Sequence, residues 1–297
     1  MKATLHQRPR ALYDVPAPAK LNLFLHVTGR RPDGYHLLQS AFMLIDWCDT
    51  LHFERRDDGA LSREDLTVPL PADDLVLQAA RALQQASGTV LGAHIGVAKR
   101  VPAQAGLGGG SSDAASCLLA LNRLWGLDWP RERLAALGLT LGADVPFFLF
   151  GHHAWAEGVG EQLTPLSLPA WRFAVVKPAA GLETARIFGH PALVRDSDPA
   201  TIPGFAANPF GFGRNDLQPV AQMLCPEVAQ ALRWLEAQGL SGRMSGSGSA
   251  VFAPLPPDVT GDRLEPAPSG WQVRVCANLD AHPLVGWASS DGSKGGH

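Results

Sequence analysis

A two-domain fold that mixes strands and helices is what the sequence predicts, and three observations carry it. Residues Lys20 to Val27 alternate with the period of two expected of a strand. Helix starts are legible at Asp73 or Asp74, after a glycine run at 106–110, and at Pro226. The composition shifts after Gly151, and 297 residues suffice for two domains with a sizeable core. A boundary is therefore expected near residues 160–165, giving domains at 1–163 and 164–288.

Taken in order, residues 1–17 are basic and proline-containing and read as a loose lead-in. In the strand that follows, Leu21, Leu23, Leu25 and Val27 form a core face, while Lys20, Asn22, Phe24 and His26 share the other. The turn Arg30 to Gly34 leads through Tyr35 and His36 into a second apolar run ending near Ile45. The polar stretch Arg55 to Glu64 reads as an exposed connection. A helix to about Ala86 and a strand at His94 to Ala98 deliver the chain into the glycine run. The helix beyond it stops near Gly126, and Pro130 opens another that ends near Gly138. Short strands such as Phe173 to Val176 follow within a proline-rich stretch. A helix from Pro226, with Val228, Leu232 and Leu235 on one face, stops at Gly239, and a Ser/Gly turn then enters a strand. The tail Ser289 to His297 is polar and glycine-rich, and is expected to be disordered.

Composition narrows the function classes. Net charge is −3 and the pI is near 6.4, so no global basic field favours nucleic acid or an anionic membrane. Any anion must be bound locally. Four cysteines without a C-x-x-C pair argue against a disulfide framework or zinc site and fit a reducing compartment. No secretory leader precedes the first strand, and no apolar run approaches the roughly 20 residues of a membrane span. A cytoplasmic protein is expected, handling a small molecule as a monomer or weak dimer.

The chemistry concentrates in a few segments. Pro102, Ala103, Gln104, Ala105, Gly106, Leu107, Gly108, Gly109, Gly110, Ser111 and Ser112 describe a phosphate cradle opening into a helix. Glycines bring backbone N–H groups close to an anion, Ser111 and Ser112 are natural N-caps, and the helix dipole adds positive potential. No Lys follows the glycines, and their spacing is not G-x-G-x-x-G, so neither common nucleotide fingerprint applies. A glycine turn that merely starts a core helix has the same composition. Lys20 is either a surface lysine at a strand end or, with Asn22 and His26 beside it, part of a lined site. Asp144, one residue ahead of Val145-Pro146, is either a helix cap or an ionised carboxylate able to orient a hydroxyl. Ser245 to Ser249, SGSGS, is a plain turn unless it meets the first loop. Tyr35, His36 and Phe188 are either core aromatics or a base-stacking set.

Together these segments resemble the GHMP kinases: PAKLNLFL, PAQAGLGGGSSDAA and SGSGSAVFA occur in the family's order. The likeness covers roughly residues 16–280 and is most specific in DGYH and LGADVPFF. RNDLQPVA and AWAEGVGE match the branch of the family that phosphorylates a cytidine diphosphate-linked methylerythritol at its 2-hydroxyl in non-mevalonate isoprenoid synthesis. The resemblance implies an α+β fold, with an N-terminal domain of the ribosomal S5 domain-2 type and a ferredoxin-like C-terminal domain. It implies ATP as phosphoryl donor, wrapped by residues 102–112, with Mg²⁺ as counter-charge and no dedicated protein metal site. It implies Lys20 and Asp144 as the catalytic pair and Asn22 beside the reacting hydroxyl. Tyr35 and Phe188 would sandwich the cytosine while His36 reads its edge. Ala105 and Ser245 stand where some members have glycine and threonine, respectively.

Overall fold

The structure, a computed structural model, describes residues 9–257 and 264–292. Two long antiparallel strands, β1 (Ala11–Arg30) and β2 (His36–Arg56), form its spine. A short edge strand β3 (Leu61–Asp65), helix α1 (Leu75–Ser87) and β4 (Gly92–Ala98) follow. Next come α2 (Gly109–Trp125), α3 (Arg131–Leu139), α4 (Val145–Phe150), β5 (Ala154–Glu157) and β6 (Gln162–Pro165). The first sheet runs β3-β4-β2-β5-β6, with β1 also paired to β2. Helices α1 and α2 pack into its core through Val76, Leu83, Leu118 and Leu121.

The second half holds β7 (Arg172–Lys177), α5 (Thr184–Phe188), α6 (Ile202–Ala206), α7 (Gln218–Leu224), α8 (Pro226–Glu236), β8 (Arg243–Met244), β9 (Val251–Pro254) and β10 (Gln272–Ala277). Its sheet runs β10-β7-β9-β8 and carries α8 through Val228, Ala231 and Leu235. A third apolar layer joins the halves, where Leu21, Leu23 and Phe24 of β1 meet Phe173, Val175 and Phe252.

Several expectations change. The lead-in is already strand from Ala11, paired to Glu54, and Pro16 and Pro18 are accommodated beside register shifts where a ladder N–H is not required. Residues 1–8 lie outside the described residues. The second face of Lys20 to Val27 is divided: Phe24 and His26 are buried against Phe205 and Phe212, whereas Lys20 and Asn22, though largely buried, border a cavity. The polar stretch 55–64 is the end of β2, a turn and the start of β3, which pairs in parallel with β4. It reads as a loop because an edge strand is kept charged; Arg63 pairs with Asp65 at 2.6 Å and Asp74 at 2.5 Å.

The tail also differs. Ser289–Gly292 forms a 3-10 turn, and the Asp291 carboxylate accepts from Arg131 at 2.6 and 2.7 Å and from the Ala288 N–H at 3.1 Å. Composition misses this because the ordering partner lies 160 residues away. Leu284 and Ala288, expected in the second domain, pack into the core of the first. Residues 293–297 lie outside the described residues.

Two buried histidines give this packing a pH signature. His153 and His282 each accept a backbone N–H at Nδ1, from Leu44 at 3.2 Å and Leu284 at 3.1 Å. Burial pushes His153 down to about 4 and His282 down to about 3. An unfolded imidazole titrates near 6.5, so the unfolded chain takes protons first. Stability is therefore complete above about pH 6.5 and falls as the pH drops towards 4, by up to about 1.4 kcal/mol per pH unit for each site. Urea unfolding at pH 7 and pH 5 is expected to show a lower midpoint at pH 5; an unchanged midpoint would remove both residues from this role.

Candidate active site

The glycine loop owes its shape to close backbone approaches. Gly106 and Gly108 both take positive φ, +70° and +72°, which L side chains rarely adopt. A Cβ on Gly106 would lie 2.1 Å from the Ser245 carbonyl oxygen. The chain enters α2 through Gly108, not through Ser111 or Ser112 as N-cap, and no side chain caps the first N–H groups. Ser112 lies inside the first turn, where its hydroxyl donates to the Pro18 carbonyl at 2.7 Å and fastens the helix to β1.

The second Ser/Gly turn meets this loop. Ser245 Oγ accepts from the Asn22 N–H at 3.1 Å and donates to the Gly106 carbonyl at 3.0 Å. The Ser249 and Ala250 N–H groups donate to the Gln104 and Ala105 carbonyls at 3.2 and 3.1 Å. Asn215 Nδ2 donates to the Met244 and Gly246 carbonyls, both at 2.8 Å. One hydroxyl thus ties β1, the glycine loop and the second domain together.

Lys20 and Asp144, 124 positions apart in sequence, come together beside this junction, with Nζ and Oδ2 at 3.6 Å. The lysine side chain is 4% exposed and the aspartate 35%, so the carboxylate faces the cavity. Asp144 sits at the N-terminus of α4 but makes no side-chain cap bond, which leaves it to the lysine. Lys20 also donates to Asn22 Oδ1, and its ammonium lies 5.0 Å from the Phe42 ring centroid. Asn22 Nδ2 donates in turn to Ser40 Oγ at 2.9 Å. The chain Lys20–Asn22–Ser40 fixes the ammonium's position with buried hydrogen bonds.

These groups line a cavity of about 970 Å³ that takes in Lys20, Asn22, Gly106 to Ser111, Asp144 and Gly246 to Gly248. A second cavity of about 570 Å³, lined by Tyr35, His36 and Phe188, shares Leu38, Ala143, Val159 and Thr184 with the first. Tyr35 is 63% exposed at its edge. The His36 ring stacks on Phe188, with centroids 4.9 Å apart and planes at 30°. One face of Phe188 is therefore taken by His36. His26, on the same strand as Lys20 and Asn22, packs instead against Phe24 and Phe212 and lines neither cavity.

Sequence reasoning missed three contributors. Ser40 and Arg195 carry no motif, and only strand pairing or loop folding brings them to Asn22 and His36. Lys99 lies between the buried carboxylates of Asp49 and Asp113, holding the start of α2 against β2 and β4. Burial, opposed by Lys99 and reinforced by Asp49, pushes the Asp113 carboxyl up to about 8. The aspartate inside GSSDAA was the available signal.

An uncapped glycine loop joined to a buried ammonium and a cavity-facing carboxylate, within an α+β fold of this topology, is an arrangement suited to a small-molecule kinase. The family profile described as GHMP kinases N terminal domain matches residues 74–152, and GHMP kinases C terminal matches residues 203–267. A 4-diphosphocytidyl-2-C-methyl-D-erythritol kinase of Albidiferax ferrireducens is 68% identical, over 95% of this chain and 97% of that protein. One from a Polaromonas species is 66% identical, over 94% of each. The crystal structure of a 4-(cytidine 5'-diphospho)-2C-methyl-D-erythritol kinase superposes with a TM-score of 0.71 at 38% identity, covering 82% of this chain and 89% of that one. A homoserine kinase from Cytophaga hutchinsonii shares the fold alone, with a TM-score of 0.69 at 16% identity over 95% of this chain and 98% of that one. The chain belongs to the 4-diphosphocytidyl-2-C-methyl-D-erythritol kinases, within the GHMP kinases. It is an ATP-dependent kinase of an isoprenoid pathway, and none of its described helices is long and apolar enough to cross a membrane.

Proposed function

We propose that this chain transfers the γ-phosphoryl group of ATP to the 2-hydroxyl of 4-diphosphocytidyl-2-C-methyl-D-erythritol, yielding the 2-phosphate and ADP. The observation that carries the reading is the Lys20–Asp144 pair, set between a backbone phosphate cradle and an aromatic cavity. The free N–H groups at the start of α2, with residues 102–112 around them, take the triphosphate. Asp144 accepts a hydrogen bond from the 2-hydroxyl and orients its oxygen for in-line attack. The transition state is loose, so the proton leaves late and no strong base is required. Lys20, held in place by Asn22, faces the charge that develops on the transferred phosphoryl oxygens. Asn22 also bounds the space beside the reacting hydroxyl. Tyr35 and Phe188 supply flat faces for the cytosine.

The described residues contain no cluster of three or more His, Cys, Asp or Glu able to hold a metal ion. Among the oxygen donors that line the cavity, the Asp144 carboxylate and the Ser111 hydroxyl lie beside the glycine loop and would suit an Mg²⁺ ion that keeps mainly phosphate and water ligands. When bound with ATP, that ion neutralises phosphate charge. Four free thiols are in keeping with action in the cytoplasm.

A coupled ADP-release assay tests the substrate. Turnover with the cytidyl compound and none with mevalonate or homoserine is expected; the reverse preference would overturn the reading. Tyr35→Ala is expected to raise KM for the cytidyl substrate about 5- to 150-fold, the worth of one base-stacking contact, while KM for ATP stays put.

A further inference from the structure

We infer that Arg195 is a positioning residue of the cytosine pocket: its guanidinium fixes the His36 imidazole in the tautomer protonated at Nδ1, so that His36 offers the pocket an N–H donor. Arg195 Nε donates to His36 Nε2 at 3.0 Å. A guanidinium has donors only and keeps its proton, so Nε2 must present a lone pair and the neutral ring must carry its hydrogen on Nδ1. Arg195 is itself held, donating to the carbonyls of Leu193, Phe188 and His190, each at 2.9 Å. Its bond to the Phe188 carbonyl also anchors the residue on which the His36 ring stacks. One side chain therefore determines the ring's rotation, its stacking partner and the place of its proton.

The surrounding charges keep the imidazole neutral. Arg30, from the end of β1, and Asp33, from the following turn, line the same cavity, and Asp33 is paired with Arg31 at 2.7 Å. Burial, then Arg195 and Arg30, lower the His36 pKa from its ordinary value. A donor at this place suits a pyrimidine whose N3 and O2 both accept. Cytosine meets that condition, whereas uracil carries a hydrogen on N3 and sets donor against donor. The specificity part of this inference rests on the cytidyl reading above; the tautomer part does not.

The free enzyme tests the tautomer directly. Long-range ¹⁵N–¹H correlation spectra at pH 8, with His36 assigned against a His36→Asn variant, are expected to show an Nδ1–H imidazole. An Nε2–H ring in the wild type would overturn the inference, whatever the substrate proves to be. Arg195→Gln supplies the functional arm, because the amide can either donate or accept and no longer dictates the tautomer. At pH 8 its KM for the cytidyl substrate is expected to rise about tenfold, the worth of one hydrogen bond, with kcat and KM for ATP within about twofold of wild type. Lowering the pH to 6 should recover part of that loss, since removing the Arg195 charge eases protonation of His36 and the imidazolium donates at both nitrogens. A penalty that is the same at both pH values, or shared with ATP, assigns Arg195 to loop packing alone and overturns the inference. Wild type inert towards the cytidyl compound yet showing the Nδ1–H ring would sink the substrate reading and leave the tautomer assignment standing.

Discussion

Asp144→Asn is expected to lower kcat by about 10²- to 10⁴-fold while leaving ATP affinity within about twofold of wild type. The amide nearly reproduces the carboxylate's shape, so packing at the start of α4 survives. What disappears is the negative acceptor 3.6 Å from the Lys20 ammonium. Without it the substrate hydroxyl loses its orienting partner, and its proton has nowhere to go as the new P–O bond forms. ATP affinity should hold because the proposed seat of the phosphates is the main chain of the glycine loop, which the substitution does not touch. Single-turnover kinetics with an independent nucleotide titration measure the two quantities separately. Near wild-type turnover would remove Asp144 from the mechanism; an equal loss of ATP binding would make it a structural residue of the loop.

Gly106→Ala is expected to damage both stability and nucleotide binding. Its φ of +70° carries strain for any L side chain, and the added Cβ would lie 2.1 Å from the Ser245 carbonyl oxygen and 2.8 Å from the Gly248 nitrogen. Neither can retreat freely, since the Ser245 N–H is bonded to Ala250 and its hydroxyl to Gly106. Strain and overpacking together should cost about 2–5 kcal/mol, and separation of the two loops should raise KM for ATP at least about tenfold. Gly239→Ala provides the control. That residue has a similar φ, +75°, with nothing within 4 Å of a built Cβ, so only backbone strain of about 1–2 kcal/mol is expected. Equal urea midpoints for the two variants would show that the clash, and hence the stapling of the loops, does not matter.

The elements easiest to read ahead of the structure were those whose signals are local. Asp74 caps α1 through its own side chain, accepting from the Leu77 N–H at 3.2 Å, and Gly126 ends α2 in a left-handed conformation. The two Ser/Gly segments were legible as turns. Their meeting was not, because Ser245 and Gly106 are 139 positions apart and no spacing rule reaches that far. Asp144 shows the same limit at a single residue. Its place before Val145-Pro146 suited a cap or a functional carboxylate equally well, and only the approach of Lys20 settles which partner it takes. Misreadings were of one kind as well. His26 was grouped with Lys20 and Asn22 in one lined site, and residues 55–64 were expected to be an exposed connection, since each depends on what a distant segment lays against it.

By itself, then, the chain determined its local grammar: where helices begin and stop, which stretch can bend closely around an anion, and which chemical groups are available. Backbone conformation and capping act within a few residues, so they are written where they operate. Tertiary structure alone decided that Lys20, Asp144 and Ser247, from three separate regions, share one cavity, and that Arg195 reaches His36. Those outcomes follow from burying apolar layers between two sheets, a driving force without direction or address until the whole polypeptide has packed.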